Sequence, residues 1–182
     1  WKGLLHFDFG PSLGSYPEPV NNIIGRNLPY TLGLSLTSTL IAWIIGNIVG
    51  LIAGFRPKAR SSKIMESIAI CIYPVPYFLI ALILQIVFAY ALGWFPIQTT
   101  LNTLGTTWQF IGSLLKASIL PGLSLLLVGM GWQIISMKSL ANTTADEDFV
   151  QFARYRGISE AKIGVSYVFR NCILTQITAL AM

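Results

Sequence analysis

Hydrophobic and polar positions divide this chain into long uncharged stretches separated by short charged ones. Residues 27–55, 67–115 and 117–137 contain no Asp, Glu, Lys or Arg. A transmembrane α-helix needs about 20 mainly apolar residues, so each stretch can hold at least one. Helices suit this setting because they satisfy their backbone hydrogen bonds internally, where lipid offers no partner. The pattern therefore predicts an integral membrane protein.

The positions of these stretches predict an all-α, polytopic helical bundle that forms one transmembrane domain over residues 1–182. The predicted order is an external segment (1–29), a span (30–55), a cytoplasmic loop (56–63), a span (64–92), an external loop (93–118), a span (119–137), a cytoplasmic loop (138–171) and the start of a fourth span (172–182). Cytoplasmic loops carry an excess of Lys and Arg, and this rule sets the orientation. Nine basic residues fall on the predicted cytoplasmic side and three outside: Arg56, Lys58, Arg60, Lys63, Lys138, Arg154, Arg156, Lys162 and Arg170 against Lys2, Arg26 and Lys116.

Four prolines are expected to shape the spans. Pro29 and Pro121 are predicted near the first turns of the first and third spans, where a missing N–H costs nothing. Pro74 and Pro76 fall inside the second span and predict that its helix bends or unwinds there. Such a break persists in lipid only where neighbouring helices or a water-filled path satisfy the freed carbonyls. The external loop 93–118 is predicted to contain an interfacial helix.

Small residues inside the spans have a packing interpretation. Gly46, Gly50 and Gly54 recur every four residues, so they line one helix face and would let another helix approach closely. The alternative is that they are ordinary glycines of a membrane helix. Cys71 and Cys172 both lie in apolar segments, and we expect them to fill helix interfaces rather than form a disulfide or a metal site.

Composition and charge narrow the class of protein further. The 182 residues are 54% hydrophobic and 10% charged, whereas soluble domains carry about 25% charged residues. The net charge of +5 does not indicate a nucleic-acid partner, because the basic residues lie in short loops beside apolar stretches and no nucleic-acid-binding motif is present. The sequence begins at Trp1 and stops at Met182 within an apolar stretch, so we expect an internal portion of a longer chain.

The segment 148–171 is the polar exception, and it predicts two helices that meet at Gly157. Acidic residues at 146–148 suit the positive N-terminal end of a helix dipole. Gly157 supplies the left-handed residue that ends the first helix. Ser159 is a suitable N-cap for a second helix, with Glu160 in its first turn.

The first of these helices is predicted to be amphipathic. One face of it is expected to hold Phe149, Phe152, Ala153 and Arg156. One interpretation is a solvated loop with a helix on the membrane surface. That interpretation does not explain two capped helices that meet at one glycine and keep apolar side chains among mixed charges. A protein partner that docks into the bend explains both features.

Residues 148–171 resemble a known motif, the EAA coupling loop of ABC importer permeases. The core of that loop is E-A-A-x-x-x-G followed by a second helix, and the corresponding residues here are Gln151, Phe152, Ala153 and Gly157. The longer string DFVQFARYRGIS with the later FRN is similar to the dipeptide, oligopeptide and nickel branch, which commonly reads D-Y-V-x-x-A-R-x-K-G-L-S and a later R-N. The matching positions are Asp148, Val150, Ala153, Arg154, Gly157, Ser159, Arg170 and Asn171.

Other stretches extend the resemblance along almost the whole chain. NLPYTL resembles the branch's R-L-P-x-T-L, PVPYF its V-P-x-F, LGWFP its L-G-W-x-P, and ILPGLSL its I-L-P-x-L-x-L. Three positions depart from the pattern. Gln151 replaces the first acidic residue of the EAA core, Lys138 replaces the usual Arg after the third span, and Thr175 replaces a common proline. The last departure removes the residue that would kink the entry to the fourth span.

The resemblance implies a six-span permease subunit of the cell membrane, without its first and last spans in this portion. It would pair with a second permease subunit, two cytoplasmic ATPase subunits and an external substrate-binding protein. ATP and Mg²⁺ would be bound by the ATPase subunits, and this chain would bind no cofactor and catalyse no reaction. The sequence is consistent with this expectation, since it has no G-x-x-x-x-G-K-[S/T] loop for nucleotide binding and no metal-ligand or nucleophile–base spacing. The residues expected to couple this chain to the ATPases are Asp148, Phe149, Gln151, Phe152, Ala153, Arg154, Tyr155, Arg156, Gly157, Ser159, Glu160 and Lys162.

Aromatic residues and prolines around the predicted break are candidates for lining the translocation path: Tyr73, Pro74, Pro76, Tyr77, Phe78 and Trp132. The alternative is a kink that serves packing alone. An uncharged, aromatic path suits peptides, oligosaccharides or a nickel chelate, and the resemblance to the peptide branch favours peptides.

A secondary transporter or channel would usually place ionisable residues within its spans. The predicted spans contain none apart from Glu66, which lies near a cytoplasmic end. A membrane assembly protein without a transport role would not need two prolines inside a span.

Overall fold

The computed structural model describes residues 8–97 and 107–181, and every regular element in these ranges is helical. The predicted all-α class is therefore confirmed. The helices are α1 (Val20–Phe55), α2 (Arg60–Ile72), α3 (Tyr77–Leu84, continuing as a π-helix over Gln85–Ala91), α4 (Thr107–Ala145), α5 (Asp148–Tyr155), α6 (Glu160–Ile163, continuing as a π-helix over Gly164–Phe169) and α7 (Arg170–Ala181). The described residues form two compact units, one ending at Thr37 and the other beginning at Ser38.

α1 begins well before the predicted first span. A loop ahead of it turns back, and the Val20 N–H donates to the Gly10 carbonyl over 2.9 Å. The helix then runs without interruption from Val20, so Pro29 lies in its interior and the prediction that Pro29 sits in the first turn was wrong. The physical reason is that residues 20–28 form helix themselves, and a proline removes only one donor from a long helix.

α1 and α4 are each long enough and apolar enough to cross a membrane. With 36 and 39 residues they extend about 54 and 58 Å, whereas the hydrocarbon core of a bilayer is about 30 Å thick. Large apolar side chains such as Ile52 and Leu115 stay exposed on them, as expected of helix faces that meet lipid. The ends of the predicted spans stay a prediction. The parts of the predicted external segment, external loop and fourth span at 1–7, 98–106 and 182 lie outside the described residues.

The glycines of α1 form the close helix contact that their spacing predicts. Gly46, Gly50 and Gly54 are buried and face α4. A Cβ built on Gly54 would lie 2.5 Å from the Lys138 carbonyl oxygen, and one on Gly50 would lie 2.8 Å from the Ile134 carbonyl oxygen. Neither oxygen can move without displacing the α4 backbone, so only glycine fits at this approach.

α4 is longer and more continuous than predicted. One helix covers the end of the predicted external loop and the whole predicted third span, so the separate interfacial helix was wrong, and so was the placement of Pro121 near the first turn of a helix. Residues 107–120 contain no proline and a single glycine, so no strong breaker separates the two predicted elements. Pro121 is accommodated inside the helix, where the Ser124 hydroxyl donates to its carbonyl over 2.7 Å.

The predicted break in the second span is confirmed. α2 ends at Ile72, α3 begins at Tyr77, and the two helices meet at 98°. Pro74 and Pro76 lie between them and have no N–H, so neither can continue the hydrogen-bond ladder of α2.

Two contacts hold α2 against α4. A Cβ built on Gly131 of α4 would lie 2.9 Å from the Tyr73 Cβ at the end of α2, so glycine makes room for this crossing. Further along both helices, Glu66 forms an ion pair with Lys138, whose side chain is only 14% exposed. The Lys138 side chain therefore lies within the helix packing, while the Glu66 side chain, 39% exposed, lies at its edge.

Neutral polar side chains connect α1, α4 and α7. Gln133 Nε2 donates to Asn47 Oδ1 over 3.3 Å and also to Gln176 Oε1. Gln176 Nε2 donates to the Ser136 hydroxyl over 3.0 Å. Asn47 and Gln176 are 2% and 1% exposed. Hydrogen bonds of this kind hold membrane helices together because lipid cannot replace either partner. These four residues are called the amide network below.

The glycine contact predicts a size limit at positions 50 and 54. Gly54→Ala and Gly50→Ala should each destabilise the protein by about 1–3 kcal/mol, because each added methyl must push α1 away from α4. The matched control is Gly33→Ala in the same helix, since a Cβ there meets nothing within 4 Å. Thermal unfolding of the purified protein in detergent measures the difference. Equal melting temperatures for all three variants would contradict the close approach.

Candidate functional site

Residues 148–163, here called the elbow, carry the predicted coupling residues. α5 begins with Asp148 in its first turn and has Arg154 in its last. Both charges are favourable, since the carboxylate faces the positive end of the helix dipole and the guanidinium the negative end. Glu147 takes the extended N-cap conformation, although its side chain makes no capping hydrogen bond. Local charge thus favours both ends of α5.

α5 has one buried face and one exposed aromatic face. Val150 and Ala153, three residues apart, are 0% and 3% exposed. Phe149, Phe152 and Tyr155, also three apart, are 41%, 66% and 84% exposed. The sequence prediction placed Ala153 on one face with Phe149, Phe152 and Arg156, but Ala153 is buried beside Val150 while the other three are exposed. The repeat of three residues gives two parallel rows on a helix, and burial distinguishes them.

Gly157 ends α5 in the predicted left-handed conformation, with φ of 73°. The Ile158 N–H donates to the Ala153 carbonyl over 3.2 Å, and the Gly157 N–H donates to the Arg154 carbonyl over 2.9 Å. This pair of bonds is the Schellman motif, which satisfies the last carbonyls of a helix. A Cβ built on Gly157 would meet nothing within 4 Å. Backbone conformation, and not space, therefore requires glycine here.

The second helix of the elbow starts where predicted. Ser159 occupies the N-cap position of α6 in an extended conformation, and Glu160 lies in its first turn. The Ser159 hydroxyl makes no capping bond, while its carbonyl accepts from the Ile163 N–H over 3.0 Å. The chain stays helical from Glu160 through the π-helical stretch into α7. The bend therefore leads directly into the predicted fourth span.

Arg154 closes the bend and ties it to two other helices. Its Nε lies 3.1 Å from Glu160 Oε1, and its Nη1 donates to the Ala145 carbonyl over 3.4 Å. The guanidinium carbon lies 5.9 Å from the centre of the Phe55 ring, within cation–π range. The Arg154 and Glu160 side chains are 31% and 54% exposed, and an ion pair of this exposure adds little free energy. The ion pair instead orients α5 and α6 relative to each other, because it joins the last turn of one to the first turn of the other.

A buried cluster joins the elbow to the C-terminal half of α4 and the start of α7. Its members are Met137, Ala141, Ala145, Val150, Ala153, Ile163, Val168 and Cys172. The Thr144 hydroxyl and the Cys172 thiol lie 3.4 Å apart beside it. Sequence reasoning overlooked most of this cluster, although residues 137, 141 and 145 recur at helical spacing. Close packing of this kind transmits displacement because it contains few voids to absorb it.

The predicted path residues gather around the break between α2 and α3. The Tyr73 and Trp132 rings are 5.9 Å apart between centroids and tilted by 43°. The exposed aromatic residues of this set are Tyr73, Tyr77, Phe78 and Trp132. Tyr77 and Phe78 begin α3, beyond the two prolines. Trp132 lies about 20 Å along α4 from Ala145, so α4 contacts the elbow near its C-terminal end and contributes Trp132 to this aromatic pair.

Polar residues inside the bundle were absent from the predicted site. The amide network and the Glu66–Lys138 ion pair each connect helices, and each lies in or beside a stretch otherwise free of charge. The sequence could have indicated these residues, because polar side chains within an apolar span are costly and therefore face other protein groups or a cavity. In the part of the chain that the structure describes, no group of three or more His, Cys, Asp or Glu side chains is arranged to hold a metal.

The sequence matches one known family over most of its length. The model of the binding-protein-dependent transport system inner membrane component family matches residues 46–182. The chain belongs to this family. It is accordingly a multi-pass protein of the cell membrane, as its long apolar helices indicate.

Several relatives of this chain are named as peptide permeases. A putative peptide transport system permease protein of Brucella abortus is 30% identical over 96% of this chain and 54% of the relative. The dipeptide transport system permease protein DppB of Bacillus subtilis is 28% identical over 98% of this chain and 54% of the relative. The oligopeptide transport system permease protein AppB of the same organism is 30% identical over 100% of this chain and 57% of the relative. The chain thus spans about half the length of these relatives.

The bend of this inner membrane component should depend on the backbone at position 157. Gly157→Val should destabilise the elbow by about 1–2 kcal/mol, because a β-branched residue opposes the left-handed conformation. Gly157→Asn is the matched control, since asparagine tolerates that conformation and neither side chain meets a neighbour at Cβ. Hydrogen exchange of the amides in residues 148–163 should be faster in the valine variant alone. The same exchange in both variants would contradict a conformational requirement for glycine.

Proposed function

We propose that this chain is the membrane-spanning permease subunit of an ATP-driven, binding-protein-dependent importer, and that its substrates are peptides. The names of its relatives support peptides as the substrate class. An external substrate-binding protein delivers the peptide, and a second permease subunit completes the path. Two cytoplasmic ATPase subunits bind ATP and Mg²⁺ and hydrolyse the nucleotide. This chain forms part of the path and binds no cofactor.

One observation carries the coupling role, namely an exposed aromatic face on a helix whose other face is firmly packed. Phe152 and Tyr155 are among the most exposed aromatic residues of the second unit, while Val150 and Ala153 on the same helix are buried. Exposed aromatic rows next to charged residues are typical of surfaces that bind a protein partner. A helix that merely lies on the membrane surface needs neither a Schellman turn nor a buried attachment to a span.

The orientation of the chain agrees with this role. With the elbow on the cytoplasmic side, nine basic residues lie inside and three outside, as the positive-inside rule requires. The remaining coupling residues fit a partner surface, since Arg156 and Lys162 are exposed and Gln151 is half-buried. Charges at the edge of such a surface set its register and association rate more than its affinity.

The proposed movement passes from the elbow to the path through α4. ATP binding closes the ATPase dimer and displaces the elbow, and the elbow displaces α4 because their side chains share one buried cluster. α4 then carries α2 with it through the Glu66–Lys138 ion pair and the contact between Gly131 and Tyr73. Rigid-body displacement of packed helices is a common form of transport movement. The break between α2 and α3 is where the path opens.

Competing functions differ in what they require of the spans. A permease for an oligosaccharide or a nickel chelate would use the same elbow, and the transported substrate distinguishes it. A secondary transporter or channel would use ionisable groups within its spans to handle ions. In the described residues, the ionisable pair closest to that role is Glu66 with Lys138, and its two charges neutralise each other.

The exposed aromatic face should control ATPase binding. Phe152→Ala and Tyr155→Ala should each lower the affinity for the ATPase subunits at least about tenfold, as expected of central aromatic anchors. Peptide-stimulated ATP hydrolysis and peptide uptake in proteoliposomes should fall with it. The melting temperature of the permease should not change, because both side chains are mostly exposed.

The matched control is Tyr90→Ala, which removes an aromatic side chain that is 77% exposed on the π-helical end of α3. It should leave ATPase binding intact. Co-purification of the ATPase subunits measures all three variants. Undiminished co-purification with both elbow variants would overturn the coupling role. Uptake of an oligosaccharide or a nickel chelate in place of peptide would overturn the substrate class.

A further inference from the structure

A cavity of about 250 Å³ lies beside the amide network, between α1, α4 and α7. Two indole rings, Trp43 and Trp132, line it together with Thr39 and Gln133. The other lining residues are small or aliphatic, and none is ionisable. Its volume is somewhat below the roughly 300–1,000 Å³ of sites that enclose a whole small molecule. The cavity therefore suits a short segment of a longer ligand.

The amide network fixes the orientation of Gln133. Asn47 Nδ2 donates to the Trp43 carbonyl over 2.8 Å, so Asn47 must present its oxygen to Gln133. Gln176 meets the amide nitrogen of Gln133 with its oxygen and donates from its own Nε2 to the Ser136 hydroxyl. Both neighbours are acceptors, and Gln133 meets them with its amide nitrogen. Its two N–H groups are thereby used.

The carbonyl oxygen of Gln133 is left as an acceptor. It accepts no hydrogen bond from the residues that the structure describes, while the side chain is half-buried and lines the cavity. Polar atoms at membrane depth are costly unless they are paired. An acyl chain offers no donor to this oxygen, so lipid is a poor occupant of the cavity. A ligand with an N–H group is a good one.

We propose that this cavity binds the backbone of a peptide in transit, with Gln133 Oε1 accepting a hydrogen bond from a peptide N–H. The indoles of Trp43 and Trp132 flank the peptide and contact its side chains through ring surface, which does not select by charge. Every peptide offers the same backbone donor, so this contact serves peptides of varied sequence. This site rests on the proposed function, and it would be the place within the membrane where the permease contacts its peptide substrate.

The test compares a peptide with its ester analogue, in which an oxygen replaces one backbone N–H at a time. Uptake is measured in proteoliposomes that hold the assembled transporter, with saturating ligand-loaded binding protein. The wild type should transport the peptide about threefold to tenfold faster than the analogue lacking the critical N–H. Gln133→Met keeps the length of the side chain and removes the acceptor, so it should transport both at the same rate. The binding protein is common to both transporters, and its own preference cancels in the comparison.

The matched control is Ser136→Ala, which weakens the amide network through Gln176 but does not alter the cavity lining. It should keep the preference for the peptide. Absence of peptide uptake by the wild type would overturn the proposed function. Peptide uptake with the same preference in the wild type and in Gln133→Met would overturn this site alone.

A second measurement covers the case in which Gln133→Met does not assemble. Thr39→Cys, in a Cys71→Ser background, should react with a small thiol reagent in the assembled transporter. Peptide-loaded binding protein with ATP and vanadate should slow that reaction at least about threefold, because the peptide occupies the cavity. No reaction in either state would mean that another subunit covers the cavity, and it would overturn the proposal. A rate that peptide leaves unchanged would overturn it as well.

Discussion

Ala141 and Ala145 are the small residues of α4 against which the elbow packs, together with Val150 and Ile163 from the elbow itself. All four side chains are buried in one cluster, so the elbow is attached to α4 at this cluster. In the proposed mechanism, a partner that displaces the elbow therefore displaces α4 as well. The rest of the proposed mechanism depends on this contact, since α4 also contributes Trp132 to the aromatic pair and Gln133 and Ser136 to the amide network.

The helices around α4 are attached to it in three different ways. α1 approaches through glycines, α2 through an ion pair and a glycine crossing, and α7 through buried amides. Each form of attachment is strong where lipid competes poorly for polar groups and where backbones come close. The break between α2 and α3 interrupts this body at a point that two prolines leave without a hydrogen-bond ladder. Both α2 and α3 pack against α4, so the break bends the chain without detaching either helix from α4.

The sequence predicted the features that a single residue type determines. Gly157 was predicted because a left-handed helix end favours glycine, and the bend at Pro74 and Pro76 because proline lacks an N–H. The predictions for Pro29 and Pro121 failed because proline does not determine one position. It is preferred at a helix start but is also tolerated inside a long helix. The face of α5 could not be assigned from spacing, because two rows of apolar residues repeat every three positions and only tertiary packing chooses between them. The amide network required knowledge of which helices are neighbours.

The central claim is that the elbow and α4 move as one body, and a distance between them tests it most directly. Spin labels at the exposed positions Asn142 on α4 and Ala161 on the elbow report that distance by pulsed electron paramagnetic resonance in the assembled transporter. Nucleotide-free and vanadate-trapped states should give the same distance, with loss of ATP hydrolysis confirming the trap. A change of several ångströms, about the rise of one helical turn or more, would show that the elbow moves independently of α4 and would contradict the account.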